Sequence, residues 1–207
     1  MADKFIGRGT AMVKVGFIVE GASERIILES ADIKRFLMNS GYELVMPVID
    51  AEGGGNLLPT NIEPFIETLR KNGAEEIYVL TDLEQESFPE NVKERIQNEA
   101  VKSIFIAVKA LEAWFLADTA AMKQWLGEEF NGESHPEQTP SMPWDYLGEI
   151  AKKHGARGTG AKKPMFAKRM VRSIEEKGFN FSIERAAQHP NCPSVKEFVE
   201  YFDQSAQ

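Results

Sequence analysis

The sequence predicts an α/β fold, a parallel sheet flanked by helices with a C-terminal helical extension. Three observations predict it. Short β-rich runs alternate with segments whose apolar residues recur at helical spacing. The runs are separated by helix-length stretches rather than hairpin turns, which makes neighbouring strands parallel. After about residue 110 the β-rich runs stop and only helical periodicity remains. The chain therefore divides into an α/β core over 1–110 and a helical extension over 111–207 that packs on it.

Val13 to Val19 reads VKVGFIV and ends at Glu20-Gly21, a strand running into a turn. Ser23 to Met38 carries Ile26, Ile27, Ile33, Phe36 and Leu37 at helical spacing, and Gly41 supplies its C-cap region. Tyr42 to Ile49 reads as a second strand whose Pro47 places it at an edge. Asp50 to Asn56 is a Gly-rich turn, and Thr60 or Asn61 caps a helix running to about Lys71. Glu76 to Thr81 is a third strand ending at Asp82, Glu90 to Glu99 a helix, and Val101 to Val108 a fourth strand. Beyond these, Glu112 to Trp125, Trp144 to Lys153, Pro164 to Lys177 and Val195 to Phe202 read as helices, with a polar loop from Gly127 to Met142.

The composition suits such a core: among 207 residues, 43% are hydrophobic, with 13 Phe and 3 Trp, which excludes general disorder. No apolar run approaches the roughly 20 residues of a membrane helix. Met1 to Ala11 lacks the apolar stretch of a signal peptide, and the one cysteine, Cys192, cannot form a disulfide within the chain; a reducing cytoplasm is expected. His135, His154 and His189 show no metal-ligand spacing.

The charge pattern is segregated. Net charge is −8, against a generic polyanion binder, yet Lys152, Lys153, Arg157, Lys162, Lys163, Lys168, Arg169 and Arg172 form a run with no acid among them. The preceding stretch, Glu112 to Glu149, holds eight acids and one lysine, Lys123. Either the basic run is a solvated face paired with that acidic stretch, or it offsets the charge of a phosphate-bearing substrate, with Lys162 and Lys163 foremost.

Ligands of open α/β sheets bind at the carboxyl ends of the strands. Here those ends carry Glu20 with Glu24, Asp50 with Glu52, and Asp82 with Glu84 and Glu86. Acids also solvate turns and cap helices. Gathered at neighbouring ends they would repel one another, and an all-oxygen set of this kind suits magnesium or manganese. Gly53, Gly54 and Gly55 either present backbone N–H groups to a phosphate or simply make a flexible turn. The absence of a Walker lysine and of G-x-G-x-x-G excludes P-loop and dinucleotide sites. Asp118, six residues past Glu112, falls off that residue's helix face and is expected toward solvent.

IVEGASE from Ile18 to Glu24, followed by TDLEQE from Thr81 to Glu86, resembles the Toprim fold, a Rossmann-like sheet found in topoisomerases, primases and overcoming-lysogenization-defect nucleases. With the GGG turn, EAWFLAD from Glu112 to Asp118, and more loosely KKP and CPSVKEF, the chain is similar to an uncharacterised bacterial family of the DUF4276 type. The resemblance implies that Glu20 is a general acid/base or metal ligand, that Asp82 opens the Asp-x-Asp pair, and that Glu84 stands where the second aspartate belongs. It draws Glu112 toward the same site. The function implied is metal-dependent phosphodiester cleavage or transfer on DNA or RNA, with magnesium or manganese, in a protein linked to mobile elements or phage defence. The alternatives are a non-catalytic nucleic-acid or protein-binding module with a degenerate site, or a small-molecule phosphate-binding protein. No membrane role is expected, and the oligomeric state stays open.

Overall fold

The structure is a computed structural model that describes residues 12–83 and 85–204. Met1 to Ala11, read above for a leader, lie outside the described residues.

The sheet is parallel and five-stranded. Its strands are β1 (Val13–Val19), β2 (Tyr42–Leu44), β3 (Ile49–Asp50), β4 (Glu76–Asp82) and β5 (Ser103–Ala107), in the order β2-β1-β4-β5, with β3 also on β1. Thus β1 and β4 lie side by side at the centre, with Val15 opposite Glu76 and Val19 opposite Leu80. The second expected strand is two pieces. Pro47 cannot donate to the ladder, and Val48 N–H turns instead to the Glu29 carboxylate at 3.1 Å.

Strand alternation sorts the core into two layers. Ile18, Ile77, Val79, Ile104 and Ile106 face one way, toward Leu57, Ile66 and Leu69 and toward Val92 and Ile96. These belong to or precede helices α3 (Glu63–Lys71) and α4 (Pro89–Ile96). Gly16 lies on this face because Leu69 and Ala74 leave no room: a Cβ there would stand 3.0 Å from both. The opposite face presents Val15, Phe17, Val19, Tyr78, Leu80 and Phe105. Helices α1 (Ala22–Leu28) and α2 (Ala31–Asn39) cover part of it. The helix expected from Ser23 to Met38 is interrupted because Ser30 is extended and its hydroxyl accepts from Ile33 N at 3.3 Å, starting a second helix.

The chain after 110 covers the rest of that face with α5 (Glu112–Ala117), α6 (Thr119–Leu126), α7 (Pro143–Lys153), α8 (Lys163–Val171), α9 (Ile183–Ala187) and α10 (Pro193–Gln204). Phe198 and Phe202 of α10 pack on the middle of the sheet, at 4.9 Å from Phe105 and 5.2 Å from Tyr78 between ring centroids. Trp125, Phe115, Phe166 and Phe181 make an adjoining aromatic cluster, in which Trp125 and Phe166 stand 4.7 Å apart. Trp114, Phe115 and Leu116 are fully in the core, as their pattern suggests.

Several boundaries depart from expectation. The helix predicted from Glu112 to Trp125 breaks at Asp118, whose carboxylate caps α6 through Ala121 N. Thr60 and Asn61 do not cap α3; it begins after Ile62, and the Asn61 amide bonds Gly55 O at 3.0 Å. The loop from Gly127 to Met142 contains a 3-10 turn, Pro136–Gln138, and α9 was not anticipated. Among the described residues, no helix is long and apolar enough to cross a membrane.

Candidate functional site

The carboxyl ends of β1 and β4 open into a cleft of about 560 Å³. Glu20, just past β1, and Asp82, the last residue of β4, line it with Thr81, Gly54 and Gly55; Leu57, Leu83, Val92 and Ile96 form an apolar wall, and Arg95 and Glu86 a rim. Each central acid is held from behind. The Thr81 hydroxyl donates to Glu20 Oε2. Leu111 N–H, at the entry to α5, donates to Asp82 Oδ1 at 2.8 Å. The glycine turn folds against Glu20: Gly53 N–H bonds its carbonyl at 2.8 Å, and a Cβ on Gly54 would come within 3.2 Å of Oε1.

Behind Asp82 lie two buried acids. Glu24, in the first turn of α1, is 6% exposed, and Glu112, which opens α5, is 2% exposed. Burial pushes the Glu24 carboxyl up to about 7, with Glu112 and Glu20 adding to it and Lys163 opposing. Asp82 is raised well above the ordinary aspartate range, first by burial and then by Glu24 and Glu112. One cation enters: Lys163, the first residue of α8, reaches Glu112 Oε2 at 3.3 Å. Burial works to lower its pKa, but Glu112, Asp82 and Glu24 together raise it. The site thus gathers four carboxylates and one ammonium, and the raised Glu24 and Asp82 register negative charge that the lysine does not fully offset.

The other candidates fall elsewhere. Lys162 is exposed at the start of α8, outside the cluster its neighbour enters. Asp50 closes its own turn by accepting from Glu52 N at 2.9 Å, and Glu52 is exposed. Glu86 lies on the cleft rim, 3.8 Å from Arg95. Glu84 lies outside the described residues. Asp118 reverses its expectation. It is 1% exposed because Arg185 grips both its oxygens, at 2.9 and 2.7 Å, while Ser182 N–H donates at 2.8 Å. Cys192 is buried, and burial followed by Glu137 pushes its thiol up, away from nucleophilic use.

Thr81 was overlooked as a functional residue. Its signal was only its place before Asp82, where a strand residue pointing at β1 can meet Glu20.

An ion would find an all-oxygen donor set here, of the hard kind magnesium and manganese take. Among the described residues, no three Asp, Glu, His or Cys side chains already stand close enough together to hold one.

The fold and site define a parallel α/β protein with an acidic cluster at the carboxyl ends of its central strands. More particularly, the chain matches the model for the Domain of unknown function (DUF4276) over residues 19–201, and it belongs to that family. Comparisons with curated proteins and with solved structures returned no match.

Proposed function

We propose that this chain is a Toprim-like protein whose acidic site acts on phosphodiesters of DNA or RNA with magnesium or manganese, in a reducing cytoplasm. The observation that carries this reading is the meeting of Glu20 and Asp82 from adjacent central strands in one cleft, backed by Glu24, Glu112 and Lys163. Glu20 and Asp82 would hold the ion, with Glu84 beside them. When bound, it would supply charge neutralisation to a phosphate and acidify a water.

The remaining work falls to the chain. Thr81 and Leu111 N–H fix the two cleft-facing carboxylates, so their geometry is set before substrate arrives. Glu24, poised near 7, can hold or release a proton at neutral pH. Lys163 keeps buried Glu112 ionised and limits the cluster's charge. Glu84, in place of the expected aspartate, brings an extra methylene to a geometry that tolerates little displacement.

Calorimetric titration with manganese tests this. The parent should bind, and Glu20→Gln and Asp82→Asn should abolish binding. No binding in the parent, or equal binding in both variants, overturns the metal site. The Lys163–Glu112 pair supports a second reading, in which the lysine is the site's own counter-ion and the protein binds nucleic acid without cleaving it. Metal binding without strand cleavage by the parent, restored in Glu84→Asp, would distinguish a spoiled active site from that binding module.

A further inference from the structure

We propose that Arg157 and Arg169 form a clasp for a backbone phosphate of the nucleic-acid strand handled at Glu20 and Asp82. The identity of the strand rests on the reading above; the clasp itself rests on different residues.

Of the basic run, only Lys163 has an ion pair among the described residues. The acidic stretch before it leaves the others unneutralised, and Lys162, Lys168 and Arg172 stand exposed beside α8. Arg169 is different: its guanidinium lies 4.9 Å from the centroid of Phe179 and its Nη1 donates to Gly158 O at 3.4 Å. That bond ties it to the loop carrying Arg157, whose own carbonyl accepts from the buried Trp125 indole at 2.8 Å. Phe179 is fixed in turn by its N–H to Arg169 O at 2.9 Å.

The two arginines are close enough that Arg157, after burial, pushes Arg169 to lower pKa. A fold that holds two guanidinium groups together with no acid between them stores repulsion that an anion relieves. Paired N–H forks suit phosphate oxygens. Because the loop and ring already orient Arg169, little side-chain freedom remains to be lost on binding. Arg169 follows Lys163 by six residues on α8, about 9 Å along the axis. One strand, at about 3.4 Å of rise per nucleotide, can touch both.

The test measures anisotropy of a labelled single-stranded oligonucleotide against salt, in chelator, with the full chain. The parent should bind at low salt, and Arg157→Gln with Arg169→Gln should flatten the slope of log affinity on log salt by about 1.4, for two lost contacts on a single strand. Glutamine keeps a stem on Phe179, and an unchanged urea midpoint confirms the fold. Asp82→Asn should keep chelator-independent binding while losing manganese, so the clasp and the metal site can fail separately. A parental slope in the double glutamine variant overturns the clasp. So does binding of poly-glutamate in place of the oligonucleotide, which would assign the surface to an acidic polypeptide, and so does absence of binding to either.

Discussion

Helix α5 begins and ends on a buried acid, and the two could hardly be treated more differently. Asp118 accepts from Ala121 N, Ser182 N and both arms of Arg185. Every lone-pair direction has a donor, and the carboxylate joins α5, α6 and α9. Glu112 meets one half-exposed lysine, and its other neighbours include Asp82 and Glu24, whose protons it helps retain. Equal burial therefore says little. A buried charge whose valences are all filled is a structural joint. One surrounded by its own sign is a site awaiting a positive partner.

The largest effect should come from breaking the joint. Asp118→Ala leaves Arg185 without its partner and two backbone N–H groups buried without acceptors. Removing one side of such a pair costs about 3–5 kcal/mol. Urea unfolding should show that loss, with manganese binding unchanged in whatever remains folded. A loss no larger than that of an exposed substitution would mean the joint is dispensable.

This contrast shows why the sequence told part of the story. VKVGFIV, EIYVLT and the apolar run before Lys109 are buried on both faces, so their lack of polar interruption was itself the strand signal. Glu20 and Asp82 could be placed at strand ends for the same reason. Asp118 could not be read, because its partners lie 64 and 67 residues away and follow no local period. Helix α9 escaped for the matching reason: it is five residues long, and its first N–H groups are met by Asp118 and by Asp32, from 151 residues back. Lys162 and Lys163 differ by one step, about 100° around α8, enough to send one outward and the other to Glu112. Only packing of α8 on α1 chooses between them.

The next effect appears as pH dependence. The folded pKa of Glu24, about 7, lies above its ordinary 4.5. The unfolded chain therefore gives up its proton first. Stability from this group is full below about pH 4.5 and is lost as pH rises through 7, on the order of 3 kcal/mol. Glu24→Gln should remove that part of the slope, so unfolding free energies at pH 5 and pH 8 should lie closer together than in the parent. Asp82 contributes with the same sign, so some slope should remain. An identical slope in the variant would refute the idea of a strained, charged cluster.

Lys163→Met sharpens the same point more gently. Its ammonium is half-exposed, so solvent already screens much of the attraction and about 1 kcal/mol should be lost at neutral pH. The loss should grow with pH, since the lysine is what holds Glu24 and Asp82 down. Added manganese should raise the melting temperature of this variant more than that of the parent. A smaller rise would mean that Lys163 helps hold the ion rather than standing in for it.

The smallest effect on stability should come from Gly54→Ala, and it separates the site from the joint most cleanly. Gly54 opens a short 3-10 turn and its carbon faces Glu20, so a methyl would lie 3.2 Å from Oε1. The Glu20 side chain can yield a few tenths of an ångström while its other oxygen stays on Thr81. Stability should change by no more than about 0.5 kcal/mol. The displaced oxygen faces the cleft, however, and ligand geometry is sensitive at that scale. Manganese affinity should fall several-fold with no change in the urea midpoint. Gly55→Ala is the control, because its Cβ would meet nothing within 4 Å. If both alanines leave manganese binding intact, Glu20 does not set the site's geometry. If both weaken it equally, the turn backbone contributes rather than the carboxylate.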